Sequence, residues 1–193
     1  RTNAQARLLE ERFVVEGIPY NVVGGTNFYA RKEIKDLLAY LKTIDNGLDD
    51  LAVKRIINVP RRGIGMATIV KVQDYADREE ISFYEALKHA ERIPGMGRTA
   101  AKITPFVTMI QVFRSRAEIY GLSDLIKDII ETTGYVKELE DSDEENAESR
   151  IENIDELISK IVSFEEAHNQ PTLREFLEEV ALVADIDNVE NDS

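Results

Sequence analysis

The chain contains no cysteine. That excludes a disulfide framework and any thiolate metal site, and it fits a reducing, cytoplasmic setting. Histidine is nearly absent too, and His89 and His168 stand in polar stretches with no ligand-spaced partners. No apolar run approaches the ~20 residues of a membrane helix. No GxxxxGK[ST] loop is present, so the chain has no cradle of its own for a nucleoside triphosphate. There is no strand-end pair of acids for Mg²⁺, and the carboxylates of residues 138–148 lack the spacing of a calcium loop. No Ser/His/Asp or Cys/His arrangement appears. These absences predict a chain with no catalytic residue, no metal and no cofactor of its own, and hence no enzyme in isolation. It opens on Arg1-Thr2-Asn3, without an initiator Met or a signal-peptide pattern, and so reads as part of something longer.

What is present begins with charge. The net charge is -13, but it is unevenly spread. Residues 1–72 balance at +4, residues 73–130 at -1 and residues 131–193 at -16. Contact with a polyanion would have to come from the first half. The acid of the last third is expected to face away from it.

Hydrophobic residues make up 43% of the chain, enough for a core. Helical punctuation dominates. One helix is predicted from about Asn3 to Glu16, and Ile18 to Val23 is the only persuasive strand. Apolar residues recur at helical spacing from Ala30 to Asn46, closed by Gly47. Asp49 or Asp50 is placed to cap the next helix, which stops before Pro60. A helix restarts near Met66. Ser82 and Glu85 form a capping box, as do Thr172 and Glu175. A long helix follows Gly97, and Ser123 is read as the cap of one ending at Gly134. Residues 138–148 read as a mobile acidic loop. Ile154, Leu157, Ile158 and Ile161 stripe one face of the helix after it. The fold class is therefore mainly α, with helix-hairpin turns and a small α/β remnant at the N-terminus.

The most informative run is Val59-Pro60-Arg61-Arg62-Gly63-Ile64-Gly65-Met66-Ala67-Thr68. Glycines let a backbone approach a phosphate and take positive φ. Amides at the start of the following helix point at an anion, and the helix dipole favours it. Ile64 would anchor the hairpin, Arg61 and Arg62 add charge, and Thr68 adds a hydroxyl. Such a unit reads backbone, not base sequence; an ordinary helix–helix turn has the same spacing. Pro94-Gly95-Met96-Gly97-Arg98-Thr99 repeats the form and, taken alone, reads as structural. Arg31, Lys32 and Lys35 gather three cations at a helix start, against the dipole, where a phosphate or plain solvation would compensate.

Arg1-Thr2-Asn3-Ala4-Gln5-Ala6-Arg7, Gly17-Ile18-Pro19-Tyr20, Arg31-Lys32-Glu33-Ile34-Lys35-Asp36 and Asn58 to Gly65 follow one another in an order that resembles superfamily-one DNA helicases of the UvrD/PcrA/Rep type, nearest their PcrA branch. The likeness is dense over the first 70 or so residues and weaker through Gly134-Tyr135 and Ser149 to Asn153. It implies that residues 1–23 end the 2A subdomain, in its motif IVa region, and that residues 24–193 are the duplex-binding 2B subdomain, hinged near Val23 and Ser193. It implies duplex backbone contacts at Gly63, Ile64, Gly65, Thr68 and Lys35, with Arg31 beside them, and single-strand contacts at Arg1 and Asn3 in the parent enzyme. Ala6 departs from the serine common in the family. ATP and Mg²⁺ would belong to the parent, a 3′-to-5′ helicase acting at a single-strand/double-strand junction. The rest of the motor would be this chain's partner, and repair or transcription proteins are further possible partners. A protein-interaction module built on the acidic last third is the rival reading. A repair nuclease or glycosylase with helix-hairpin-helix motifs is a third, opposed by the first and third of these blocks.

Overall fold

The computed structural model describes residues 27–191. The expected first helix, the Ile18–Val23 strand, the 2A portion, both hinges, Arg1 and Asn3 all lie outside the described residues. Among the described residues nine α-helices occur: α1 (Lys32–Asp45), α2 (Asp50–Ile56), α3 (Met66–Glu79), α4 (Phe83–Lys88), α5 (Ala100–Ala117), α6 (Leu122–Thr133), α7 (Tyr135–Ser142), α8 (Ala147–Ala167) and α9 (Leu173–Asn191). Short 3-10 turns occupy Phe28–Ala30, Ala90–Arg92 and Gly97–Thr99. No strand occurs among the described residues, and the fold is mainly α as the sequence predicts. No helix of the described residues is long and apolar enough to cross a membrane.

Helix α1 is the centre. It packs against α2, α5, α6, α8 and α9. Ile34, Leu37, Leu38, Leu41 and Ile44 are buried, and so are the polar Glu33, Asp36 and Thr43. A helix apolar on one stripe needs one partner; this one is enclosed nearly all round. Its buried polar groups are therefore matched. Thr43 donates to the Ala39 carbonyl at 2.8 Å. Asp36 accepts from Arg55 Nε at 2.8 Å and from the Tyr135 hydroxyl at 2.7 Å. Glu33 accepts from Asn153 Nδ2 at 3.3 Å. Burial first, and the Asp36 carboxylate second, hold the Tyr135 hydroxyl far above its ordinary pKa.

The helix ends explain much of the sequence. Gly47 takes φ 69°, and a Cβ there would stand 2.4 Å from a guanidinium nitrogen of Arg114. Arg114 needs that space, since it donates to the Thr43 and Ile44 carbonyls at 2.9 and 3.2 Å and so satisfies the last turn of α1. Asp49 caps α2, Ser82 caps α4 and Thr172 accepts from the Glu175 amide, as expected.

Two expectations fail. Ser123 does not cap α6; Gly121 is the cap residue, and the carboxylate of Glu165 on α8 accepts from the Leu122 and Ser123 amides at 3.1 and 2.9 Å. A cap supplied from another helix leaves no local signature. Residues 138–148 are not a loop throughout: α7 runs to Ser142 and α8 restarts at Ala147. Tyr135 and Leu139 bury one side of α7, and that tertiary contact outweighs the acidic composition.

Candidate nucleic-acid interface

The segment from Asn58 to Met66 is built around one side chain and one ring. Asn58 Oδ1 accepts from the Arg62 amide at 2.7 Å and from the Ile64 amide at 3.1 Å, folding the chain back on itself. The Val59–Pro60 peptide is cis. Tyr40 donates its hydroxyl to the Val59 carbonyl and accepts from Arg62. Burial raises the Tyr40 pKa, against the lowering effect of Arg62.

Ile64 is 1% exposed and fixes the hairpin to the core, as its position between two glycines suggests. Gly63 takes φ 74°, which a side chain resists. Gly65 is different: its φ is -94°, and a Cβ there would meet nothing within 4 Å. The fold itself makes no demand for glycine at Gly65. The position is open to whatever approaches from outside. Gly65 is the N-cap of α3, with no side-chain cap and no acid in the first turn. The positive end of that helix dipole faces outward uncompensated. Thr68 is buried, at 9% exposure, with its amide bound to the Gly65 carbonyl at 3.1 Å.

The basic residues divide. Arg61 and Lys35 are exposed. Arg62 is turned inward: it donates to the carbonyls of Ile56 and Ile57 at 2.7 and 3.1 Å, and its guanidinium lies over the Phe106 ring at 5.1 Å. Arg31 is half-buried, donates to Asn153 Oδ1 at 2.6 Å and lies over the Phe28 ring. These two cations organise the fold beside the hairpin. Neither the sequence pattern nor the spacing distinguishes them from Arg61 and Lys35; only the third dimension does.

The acidic last third is not wholly remote. Glu138 on α7 accepts the Arg61 amide with both carboxylate oxygens, at 3.2 and 3.1 Å. An open pocket bordered by Lys32, Asn58, Arg61, Glu138 and Arg150 joins the start of α1 to the shoulder of the hairpin. The acidic third therefore meets the shoulder of the hairpin at Glu138, and Asp143 borders the same pocket. No group of acids and histidines among the described residues is arranged to hold a metal ion.

The family of the UvrD-like helicase C-terminal domain matches residues 1–193. The chain belongs to that family. It is 40% identical over 190 residues to the ATP-dependent DNA helicase PcrA of Bacillus subtilis, covering 98% of this chain and 26% of the relative. It is 41% identical over 197 residues to PcrA of Staphylococcus aureus, covering 100% of this chain and 27% of the relative. PcrA of Staphylococcus epidermidis is 41% identical over 194 residues. The chain therefore spans about a quarter of the length of these relatives. As a UvrD-like helicase C-terminal segment, it bears out the family resemblance carried by its sequence blocks, while the finer division into 2A and 2B stays a reading of the sequence.

Proposed function

We propose that this chain is the duplex-gripping part, of 2B type, of an ATP-dependent 3′-to-5′ DNA helicase, with residues 1–23 ending 2A and residues 24–193 forming 2B. The observation that carries the reading is the hairpin at Gly63-Ile64-Gly65. Its middle residue is anchored in the core, while its last glycine stands in open space at an uncapped helix start. A phosphate is the group that needs both a close backbone approach and a positive helix end. Gly65 and the first amides of α3 receive it, Arg61 and Lys35 add charge, and Ile64, Thr68 and Arg62 hold the loop in shape. Arg31 steadies the start of α1 rather than reaching DNA. Arg1 and Asn3 touch the single strand in the parent. ATP and Mg²⁺ act in the parent's motor, at a single-strand/double-strand junction in the cytoplasm; this chain turns over no nucleotide. The rival reading, a module docking repair or transcription partners, draws support from the open groove between α7 and α8, lined by Glu140, Asp141, Glu144, Glu148, Glu152 and Asp155.

Duplex affinity measured by fluorescence anisotropy against salt separates the two. Three or four neutralised phosphates predict a fall of roughly 100-fold between 50 and 200 mM salt. Gly65→Leu fits the fold and should weaken binding by about 10-fold or more, since hydrogen bonds to a charged group are worth about 1.5–3 kcal/mol. Lys35→Ala should remove about one unit of salt slope. A chain that binds duplex without salt dependence, or not at all, would favour the docking module.

A further inference from the structure

With no cysteine in the chain, its peroxide-reactive sulfur is confined to three methionines, Met66, Met96 and Met109. The fold treats them unequally. Met96 is 5% exposed and belongs to the core. Met109 is half-buried and packs against the core. Met66 is 71% exposed. An apolar side chain left in water to that extent adds little to the burial that holds the molecule together. Oxidising a core methionine sets a polar oxygen among apolar groups, whereas oxidising Met66 leaves the core as it was.

The place of Met66 is an independent observation. It is the first residue of α3, directly after Gly65. Cα–Cβ bonds in a helix tilt toward its N-terminus, so this side chain leaves α3 on the side of Gly65 and the bare amides. The space beyond Gly65 is open, with nothing within 4 Å of a Cβ placed there. The first turn of α3 holds no acid, and the exposed side chains beside Met66 on the helix are the apolar Ala67 and, one turn on, Val70. A thioether is uncharged and a weak acceptor, so it leaves the positive end of the helix uncontested.

We infer that Met66 is a reversible oxidation site that switches the grip of the hairpin: its sulfoxide weakens the hold on a phosphate. This rests on the duplex reading of Gly63 to Gly65. The co-reactant is a peroxide. The sulfur gives an electron pair to one oxygen of hydrogen peroxide; the S–O bond forms as the O–O bond breaks, and the second oxygen leaves as water with both protons. The sulfur is oxidised by two electrons and the peroxide is reduced. The product carries an oxygen of partial negative charge at the mouth of α3. That oxygen repels a phosphate, and it accepts hydrogen bonds from the same amides that would hold one. The exposure that admits peroxide also admits a methionine sulfoxide reductase, which makes the change reversible.

The test treats the chain with limiting hydrogen peroxide and follows each methionine by peptide mass spectrometry. Met66 should oxidise first and Met96 last, and unfolding in urea should bring their rates together. The oxidised chain should bind duplex at 50 mM salt roughly two- to tenfold more weakly, the range of one ordinary hydrogen bond, with an unchanged urea midpoint. Methionine sulfoxide reductases of both epimer specificities, with dithiothreitol, should restore the affinity. Met66→Leu, treated in the same way, should keep whatever affinity it had before peroxide. Equal oxidation rates for Met66 and Met96 in the folded chain, or full oxidation of Met66 with no change in affinity, would overturn the switch and leave the hairpin's grip standing. A loss on peroxide treatment in Met66→Leu as large as in the parent would overturn it too. No salt-dependent affinity in the untreated chain would overturn the duplex reading, and the switch with it.

Discussion

Helices α3 and α5 begin bare, whereas α6, α7, α8 and α9 each begin with a carboxylate in the first turn. Glu165 adds a second carboxylate to the start of α6 from a neighbouring helix. An acid at a helix start is worth about 0.3–1 kcal/mol, and this chain has acid in abundance. Withholding it from α3 gives up stability in the place where an incoming anion would need the same amides; α5 instead continues the 3-10 turn Gly97–Thr99. The acidic third shows what the same chain does when a helix start has only the fold to serve.

That contrast can be attacked at three points with different signs. Ile64→Ala removes the anchor under the first turn and should cost about 2–5 kcal/mol in urea unfolding, the range for large-to-small core changes. It should weaken duplex binding as well, because the turn loses its seat. Destabilisation with undiminished duplex affinity would show that the hairpin's shape is irrelevant to DNA. Glu165→Ala should cost about 1–2 kcal/mol, as lost caps do, and leave duplex affinity alone. If affinity dropped too, the Glu165 cap would serve duplex binding and not the fold alone. Ala67→Glu should shift stability in the opposite direction from both. An acid in the first turn of α3 gains about 0.3–1 kcal/mol of stability while repelling phosphate. A rise in the urea midpoint joined to a loss of duplex affinity is expected; a variant that gains in both would remove the reason for the bare start.

Local signals carried most of the architecture. The caps at Asp49, Ser82 and Thr172 and the stop at Gly134 are where their side chains or conformations place them, because each acts within three or four residues. Ile64 was legible for a similar reason: an apolar residue between two glycines has one obvious use. What stayed hidden depends on distance along the chain. Glu165 caps a helix more than forty residues upstream, and Tyr135 holds α7 against Asp36 across a separation of 99 residues. Arg62 and Arg61 are neighbours in sequence, yet one faces Phe106 and the other solvent. Nor does any local pattern show that Lys71 on α3 donates to the Gly95 carbonyl and Lys102 on α5 to the Gly63 carbonyl.

The enclosure of α1 has a consequence for synthesis. The helix leaves the ribosome before the groups that complete its surroundings: the Tyr135 and Asn153 side chains that bind Asp36 and Glu33 lie 99 and 120 residues later in sequence. At about 5–20 residues per second, α1 waits roughly 5–25 seconds for these partners, with Arg55 and α2 at hand but the Glu33 carboxylate and the apolar surface facing the later helices uncovered. During that interval the nascent chain resembles an exposed amphipathic segment rather than a folded domain. The stretch of translation between Asp36 and Asn153 is thus when holdase chaperones have the most to bind, and when a ribosomal pause would leave the chain most open to aggregation.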